Sequence, residues 1–168
     1  MNAGCYGSEF KDIVLDVNFL NRNGKKIKKK AKEIDFKYRE SNIPKDLIIT
    51  SVNLMGFKKN KEEIKRKICE ISKKRISSQP QGYPTGGSTF KNYKNYKAWE
   101  LISKLEVSNL RCGGAMISDF HNNFMINTGK AKASDFENLG EIIIDKVQSQ
   151  FGIKLEWEIQ ILGKNGKN

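Results

Sequence analysis

The chain is poor in the residues that build covalent or metal-bound frameworks, with three cysteines and one histidine among 168 residues. Cys5, Cys69 and Cys112 are odd in number, widely spaced and without a C-x-x-C pair. A disulfide scaffold and a structural zinc site are both disfavoured, and no metal site is expected, which fits a reducing cytosol. Also missing is any stretch near the roughly 18 consecutive apolar residues of a membrane helix, and Met1-Asn2-Ala3-Gly4-Cys5 lacks the basic-then-apolar layout of a signal peptide. No membrane partner is expected. There is no P-loop, no Ser/His/Asp order and no internal repeat.

What the chain has is positive charge: 31 Lys+Arg against 19 Asp+Glu, a formal net charge of +12. Lysine supplies 26 of these residues and arginine five, and asparagine is abundant at 16. Lys/Asn inflation spread along a chain reflects coding bias. The alternative is a basic nucleic-acid-binding module, which requires a continuous basic face and an affinity that falls steeply with salt.

Residues 11–20, KDIVLDVNFL, alternate as a strand with Ile13, Leu15, Val17 and Phe19 on one face, and Asn23-Gly24 makes a tight hairpin turn, after which the lysine run 25–30 is either its return strand or a solvated charged loop. Residues 47–54 are short and β-branched and read as a buried strand. Residues 61–77 switch to helical spacing with a narrow stripe of Ile64, Ile68 and Ile71. A domain boundary is expected near Gly56-Phe57.

Residues 78–95 collect Gly, Pro, Ser and Tyr and read as a long loop without regular structure, a common place for function. A helix over 96–106 follows, with Trp99, Ile102 and Leu105 on one face, then two short strands flanking His121. Ser134-x-x-Glu137 has the capping-box layout and predicts a helix to about residue 150, with Phe136, Leu139, Ile143 and Val147 inward and Gly152 as its stop. The last strand, 155–162, alternates Leu155, Trp157, Ile159 and Ile161 against Glu156, Glu158 and Gln160; the 164–168 tail is expected to fray.

Three polar features carry candidate chemistry, each with an ordinary alternative. Gly86-Gly87-Ser88-Thr89 lets backbone approach a ligand and places a serine beside it, although Gly-Gly-Ser also makes a plain linker. Tyr38-Arg39 offers a planar, bidentate cation where lysine is otherwise the usual choice, or simply a surface arginine. Glu158 is an acid on the polar face of the last strand, and His121 reads as a packing or capping residue.

In order along the chain, Asn2-Ala3-Gly4-Cys5-Tyr6-Gly7 resembles N-A-G-A-Y-G, Tyr38-Arg39-Glu40-Ser41 resembles Y-R-x-S, and Gly87-Ser88-Thr89-Phe90-Lys91-Asn92 resembles G-S-x-F-K-N. Ala98-Trp99, the run from Gly114-Ala115 through Ser118, His121 and Asn123-Phe124 to Asn127, and Leu155-Glu156-Trp157-Glu158 extend the series. These motifs are those of the UDP-N-acetylenolpyruvoylglucosamine reductase family, and the chain resembles its C-terminal part in the shorter subtype. The resemblance implies an FAD enzyme, reduced by NADPH, that converts UDP-N-acetylglucosamine enolpyruvate to UDP-N-acetylmuramate in the cytoplasm during peptidoglycan precursor synthesis. It implies catalytic roles for Arg39 as the cation on the developing enolate, Ser88 as proton donor to C2 and Glu158 as completing carboxylate. Asn2, Ala3, Gly4 and Gly7 would belong to the flavin loop, and Tyr38, Arg75 and Asn92 would contact the substrate.

The fold implied is α+β: residues 1–56 as the C-terminal remainder of a flavin-binding domain, then residues 57–168 as a small substrate-binding domain with helices on one face of a sheet. Because the first residues fall inside a flavin motif, the chain reads as truncated, and two readings compete: a C-terminal product of a divided or degraded gene, inactive alone, or a chain whose N-terminal half exists upstream or as a separate chain and completes the enzyme. An exposed apolar patch and low stability are expected. Two departures stand out: Tyr93 where the family has proline, and a link over 105–110 without the family's glycines. A scaffold that binds nucleotide-sugar without redox chemistry is the remaining alternative.

Overall fold

The computed structural model describes residues 1–163 apart from 106, 108 and 109. The expected fraying of 164–168, the end of the 96–106 helix and half of the glycine-free link lie outside the described residues. The fold is α+β, and the chain divides into two compact units, Met1–Lys61 and Glu62–Asn168.

In the first unit, β1 (Gly4–Cys5) and β2 (Ser8–Glu9) form a minimal hairpin. β3 (Val14–Leu20), β4 (Lys26–Lys30) and β7 (Ile48–Leu54) form an antiparallel sheet in the order β4-β3-β7, and β5 (Phe36–Lys37) pairs with β6 (Glu40–Ser41). The lysine run is thus a return strand. Its turn is set by Asn21, whose Oδ1 accepts the N–H groups of Asn23 at 3.0 Å and Lys25 at 2.9 Å, and only Gly24, at φ 77°, enters the left-handed region.

The single inward face expected for β3 is corrected by a bulge. Val14 pairs Leu54 and Asp16 pairs Asn53, so Leu15 is an extra residue that reverses the alternation. Val14, Val17 and Phe19 are buried, while Ile13 and Leu15 are exposed. The buried strand expected over 47–54 is also corrected: β7 lies at the sheet edge, with Ile48, Ile49 and Leu54 exposed and Val52 alone packed on the core of Val14, Val17, Phe19 and Ile34.

In the second unit α1 (Lys61–Ile76) buries none of its residues; its isoleucine stripe is too narrow to offer much area. The expected structureless loop contains β8 (Thr85–Ser88), whose Gly/Ser composition hides a strand imposed by its neighbour. β8, β9 (Arg111–Cys112), β10 (Ala115–Ser118) and β11 (His121–Asn127) form an antiparallel sheet in the order β8-β11-β10-β9. α2 (Ala98–Ser103) is shorter than expected and turns Leu101 rather than Trp99 into the core.

α3 (Ala133–Phe151) begins ahead of the predicted capping box. Asp135 makes the cap: its carboxylate accepts the N–H groups of Lys132 at 2.9 Å and Gly114 at 3.2 Å, tying the helix start to the β9–β10 turn. Leu139, Ile143 and Val147 are buried as the spacing predicts, and Gly152 ends the helix at φ 66°. They join a core with Phe90, Leu101, Ile102, Ile117, Met125 and Leu155. Each large aliphatic side chain so buried contributes about 1.5–3 kcal/mol relative to exposure. The expected last strand is reduced to one bridge, Trp157 against Phe90.

Candidate functional site

Ser88 ends β8, where it pairs with Phe124 of β11. The chain then leaves the ladder, and Asn123 holds it there. The Asn123 carbonyl accepts the Thr89 N–H at 2.8 Å, while its buried side chain takes the Phe90 N–H on Oδ1 and donates Nδ2 to the Phe90 carbonyl, both at 2.9 Å. A side-chain amide thereby supplies the pair of bonds that a facing peptide would supply, two residues beyond Ser88.

The opposite edge of the same segment takes up the C-terminal stretch. Lys91 donates its N–H to the Glu156 carbonyl and Glu158 donates its N–H to the Thr89 carbonyl, each at 2.8 Å. Phe90 and Trp157 pack ring against ring, tilted by 43° with centroids 5.1 Å apart. Glu158 is therefore fixed by its backbone to the residue following Ser88. Asn92 turns its Oδ1 to the Ala98 N–H at 3.0 Å and so caps the start of α2, and Lys91 pairs with Glu156 at 3.3 Å. Ser88, Asn92 and Glu158 thus belong to one short structural module. Thr89, between them, is 1% exposed with a hydroxyl that meets no partner among the described residues.

His121 lies beside this module, its ring edge-on to Phe124 at 4.7 Å and to Trp99 at 6.3 Å. Its Nδ1 accepts the Asn123 N–H at 3.2 Å, and burial pushes its pKa below the usual 6.5, so the ring is neutral at pH 7. It acts as a packing and turn residue for the strand that holds Ser88.

A second group forms within Met1–Lys61. Arg39 sits at φ 55° in the two-residue turn between β5 and β6, lays its guanidinium 4.9 Å from the Tyr38 ring and donates Nη2 to the Gly4 carbonyl at 3.1 Å. Asn2 is buried, donates Nδ2 to Glu9 at 2.8 Å and to the Lys37 carbonyl at 3.3 Å, and accepts the Lys11 N–H at 3.0 Å. Asn2, Gly4, Tyr38 and Arg39 are thus brought together. Bonds from Lys11 and, less strongly, Asn2 hold the Glu9 carboxyl below its usual pKa. Arg75 stands exposed in the last turn of α1, and its carbonyl accepts the Gln79 N–H at 3.0 Å.

The sequence reading did not single out Asn123 as a holder of the serine strand, nor Trp157 as the anchor of Glu158. The available signal was an asparagine among the apolar residues of NNFMI.

Residues 79–162 match the family model described as UDP-N-acetylenolpyruvoylglucosamine reductase, C-terminal domain. The chain is 47% identical over 164 residues to the UDP-N-acetylenolpyruvoylglucosamine reductase of Orientia tsutsugamushi (strain Ikeda), covering 98% of this chain and 54% of the relative. It is also 47% identical over 165 residues to that of Rickettsia conorii, covering 98% and 56%. The crystal structure of UDP-N-acetylenolpyruvylglucosamine reductase from Thermus caldophilus is similar with a TM-score of 0.83 at 34% identity, over 95% of this chain and 57% of that one. The chain spans about half the length of the curated relatives it matches, and these likenesses lend no support to a nucleic-acid-binding module. With the motif order, the Ser88–Glu158 module and the match over 79–162 in agreement, the chain belongs to the UDP-N-acetylenolpyruvoylglucosamine reductase family.

Proposed function

We propose that the chain carries the proton donor and the orienting carboxylate of a reductase that acts in the cytoplasm on UDP-N-acetylglucosamine enolpyruvate, giving UDP-N-acetylmuramate for peptidoglycan synthesis. The observation that supports this is the bridge at Thr89, which fixes Glu158 one residue from Ser88. Hydride arriving at C3 of the enolpyruvyl group leaves negative charge on C2 and its carboxylate, and a proton at C2 completes the product. Ser88 delivers that proton, Glu158 orients the hydroxyl and the substrate, and the Arg39 guanidinium stabilises the enolate as it forms. Tyr38, Arg75 and Asn92 are proposed substrate contacts. Residues 1–56 are assigned to the C-terminal remainder of a flavin-binding domain and residues 57–168 to a substrate-binding domain.

The resemblance implies FAD as hydride source and NADPH as its reductant. The residues assigned to the flavin, Asn2, Ala3, Gly4 and Gly7, do not by themselves fit such a group. Asn2 spends its side chain within the fold. At Gly4 a Cβ would come within 2.9 Å of Glu9 Cγ and the Ser8 carbonyl, and Gly7 has φ 80°, so the hairpin itself accounts for both glycines. The steps above are accordingly those of the chain's own residues.

The test is a chimera in which this chain replaces the matched stretch of the Orientia tsutsugamushi relative, supplied with FAD, NADPH and the enolpyruvyl substrate. Substrate-dependent NADPH oxidation is expected, and Ser88→Ala should lower kcat about 10²–10⁴-fold. Turnover that is unchanged in both Ser88→Ala and Glu158→Gln would overturn the assignment.

A further inference from the structure

Glu158 lies in a segment with little regular structure to hold it. Between the end of α3 and residue 163 the chain makes one isolated bridge, at Trp157. What fixes the residues on both sides of Glu158 is two side chains, each set against a glycine. Ile159 reaches over β8, where a Cβ on Gly86 would lie 2.9 Å from its Cδ1. Trp157 lies against α3, where a Cβ on Gly140 would overlap Cη2 and Cζ2 of the indole. The same ring packs against Phe90 and donates its N–H to Glu141 Oε1 at 3.3 Å.

Gly140 is buried in the interior of α3, where glycine is a poor choice for the helix itself because it frees backbone that alanine would restrain. Its presence is explained by the ring it admits. We propose that Trp157, seated in the notch that Gly140 leaves in α3, is the positioning residue for Glu158. α3 and the Ser88 segment, which the ring touches through Gly140 and Phe90, then set the place of the carboxylate together. The functional meaning of that place rests on the role proposed above for Glu158; the lock itself does not.

Gly140→Ala separates the two effects, since it favours the helix and displaces the ring. The amide exchange of Lys91 and Glu158, which make the bridge, and the ¹³C resonance of the Glu158 carboxylate, assigned with Glu158→Gln, report on the lock without turnover. In Gly140→Ala the two amides should lose about tenfold or more of their protection while the amides of Ile143 and Val147 keep theirs, and the Glu158 resonance should move. Gly140→Ala/Trp157→Leu, in which a smaller side chain meets the new methyl, should bring both signals back toward wild type. Trp157→Leu alone, which leaves the notch open, should fall between them and decides the matter if Gly140→Ala does not fold. In the chimera, kcat should fall about tenfold or more in Gly140→Ala with KM within about twofold, and recover in the double variant.

An unchanged Glu158 amide and resonance in Gly140→Ala, or in Trp157→Leu where Gly140→Ala does not fold, would overturn the proposal. So would a double variant no better than Gly140→Ala. A wild-type chimera without turnover would count against the reductase reading, and the exchange and resonance measurements would still decide the lock.

Discussion

Among the described residues of Glu62–Asn168, fourteen buried apolar side chains form one cluster contributed by a four-stranded sheet, its flanking segments and two helices, whereas Met1–Lys61 buries four around a three-stranded sheet. Both units have paired strands, so pairing alone does not make the difference. In the first unit Ile49 faces Phe19 and Leu54 faces Val14 across the ladder, yet both β7 residues remain half exposed. A sheet buries its apolar face only where a second layer lies over it, and α2 and α3 provide that layer in the second unit. The edges of the first sheet are unequal as well. β4 carries four lysines, which discourage further pairing, while β7 has no charged residue.

The sharpest way to break this comparison is to remove one side chain from each unit. Leu139→Ala should cost about 2–5 kcal/mol in chemical denaturation, because the site is fully enclosed and cannot collapse. Ile49→Ala should cost less than about 1 kcal/mol, since water already reaches the side chain. Equal losses would show that the first unit is as well packed as the second. Next in size is Asn123→Ala, which strands the N–H and carbonyl of Phe90 in a buried place at about 1–3 kcal/mol for each group left unpaired. Its loss should appear in the second unit's unfolding transition alone.

How far the sequence foretold each region follows from what sets its structure. α3 was legible because its period, apolar face and terminal glycine are local features, and Leu139, Ile143 and Val147 are buried as read. Its cap was misassigned because Ser134-x-x-Glu137 satisfied the local rule while Asp135 also reached Gly114, a partner distant in sequence. β8 escapes a sequence reading because the two glycines of Thr85-Gly86-Gly87-Ser88 leave it little strand propensity, and it takes its conformation from β11. The face of β3 was misread because a bulge at Leu15 depends on its pairing with β7. At the candidate site, Ser88 and Glu158 are legible as polar residues and, with Asn92, Asn123 and Trp157, as parts of family motifs, while the contacts that Asn123, Trp157 and Gly140 make are visible only in the structure.

A smaller effect probes the exposed face of the first unit. Ile49→Lys places a charge on β7 and should reduce binding of an apolar-surface dye, as well as self-association at high concentration, with little change in unfolding free energy. A change at an exposed position of β4, Lys26→Gln, should not alter dye binding, because that edge is already hydrophilic. If both variants behaved alike, the asymmetry between the edges would have no consequence.

The smallest expected effect is electrostatic and belongs to the second unit. His121 is held neutral by burial between Phe124 and Trp99, so its pKa in the folded chain lies below the ordinary 6.5. As pH falls below 6.5 the unfolded chain takes up a proton there before the folded one does, and protonation favours unfolding. The contribution of the neutral ring is complete above that value and is lost as pH falls through the folded pKa. The unfolding midpoint of the second unit should therefore decline as pH falls below about 6.5, and His121→Gln should flatten that decline. The first unit contains no histidine, so its own midpoint should hold steady over the same interval; a parallel decline in both units would trace the effect to the net charge of +12 rather than to this ring.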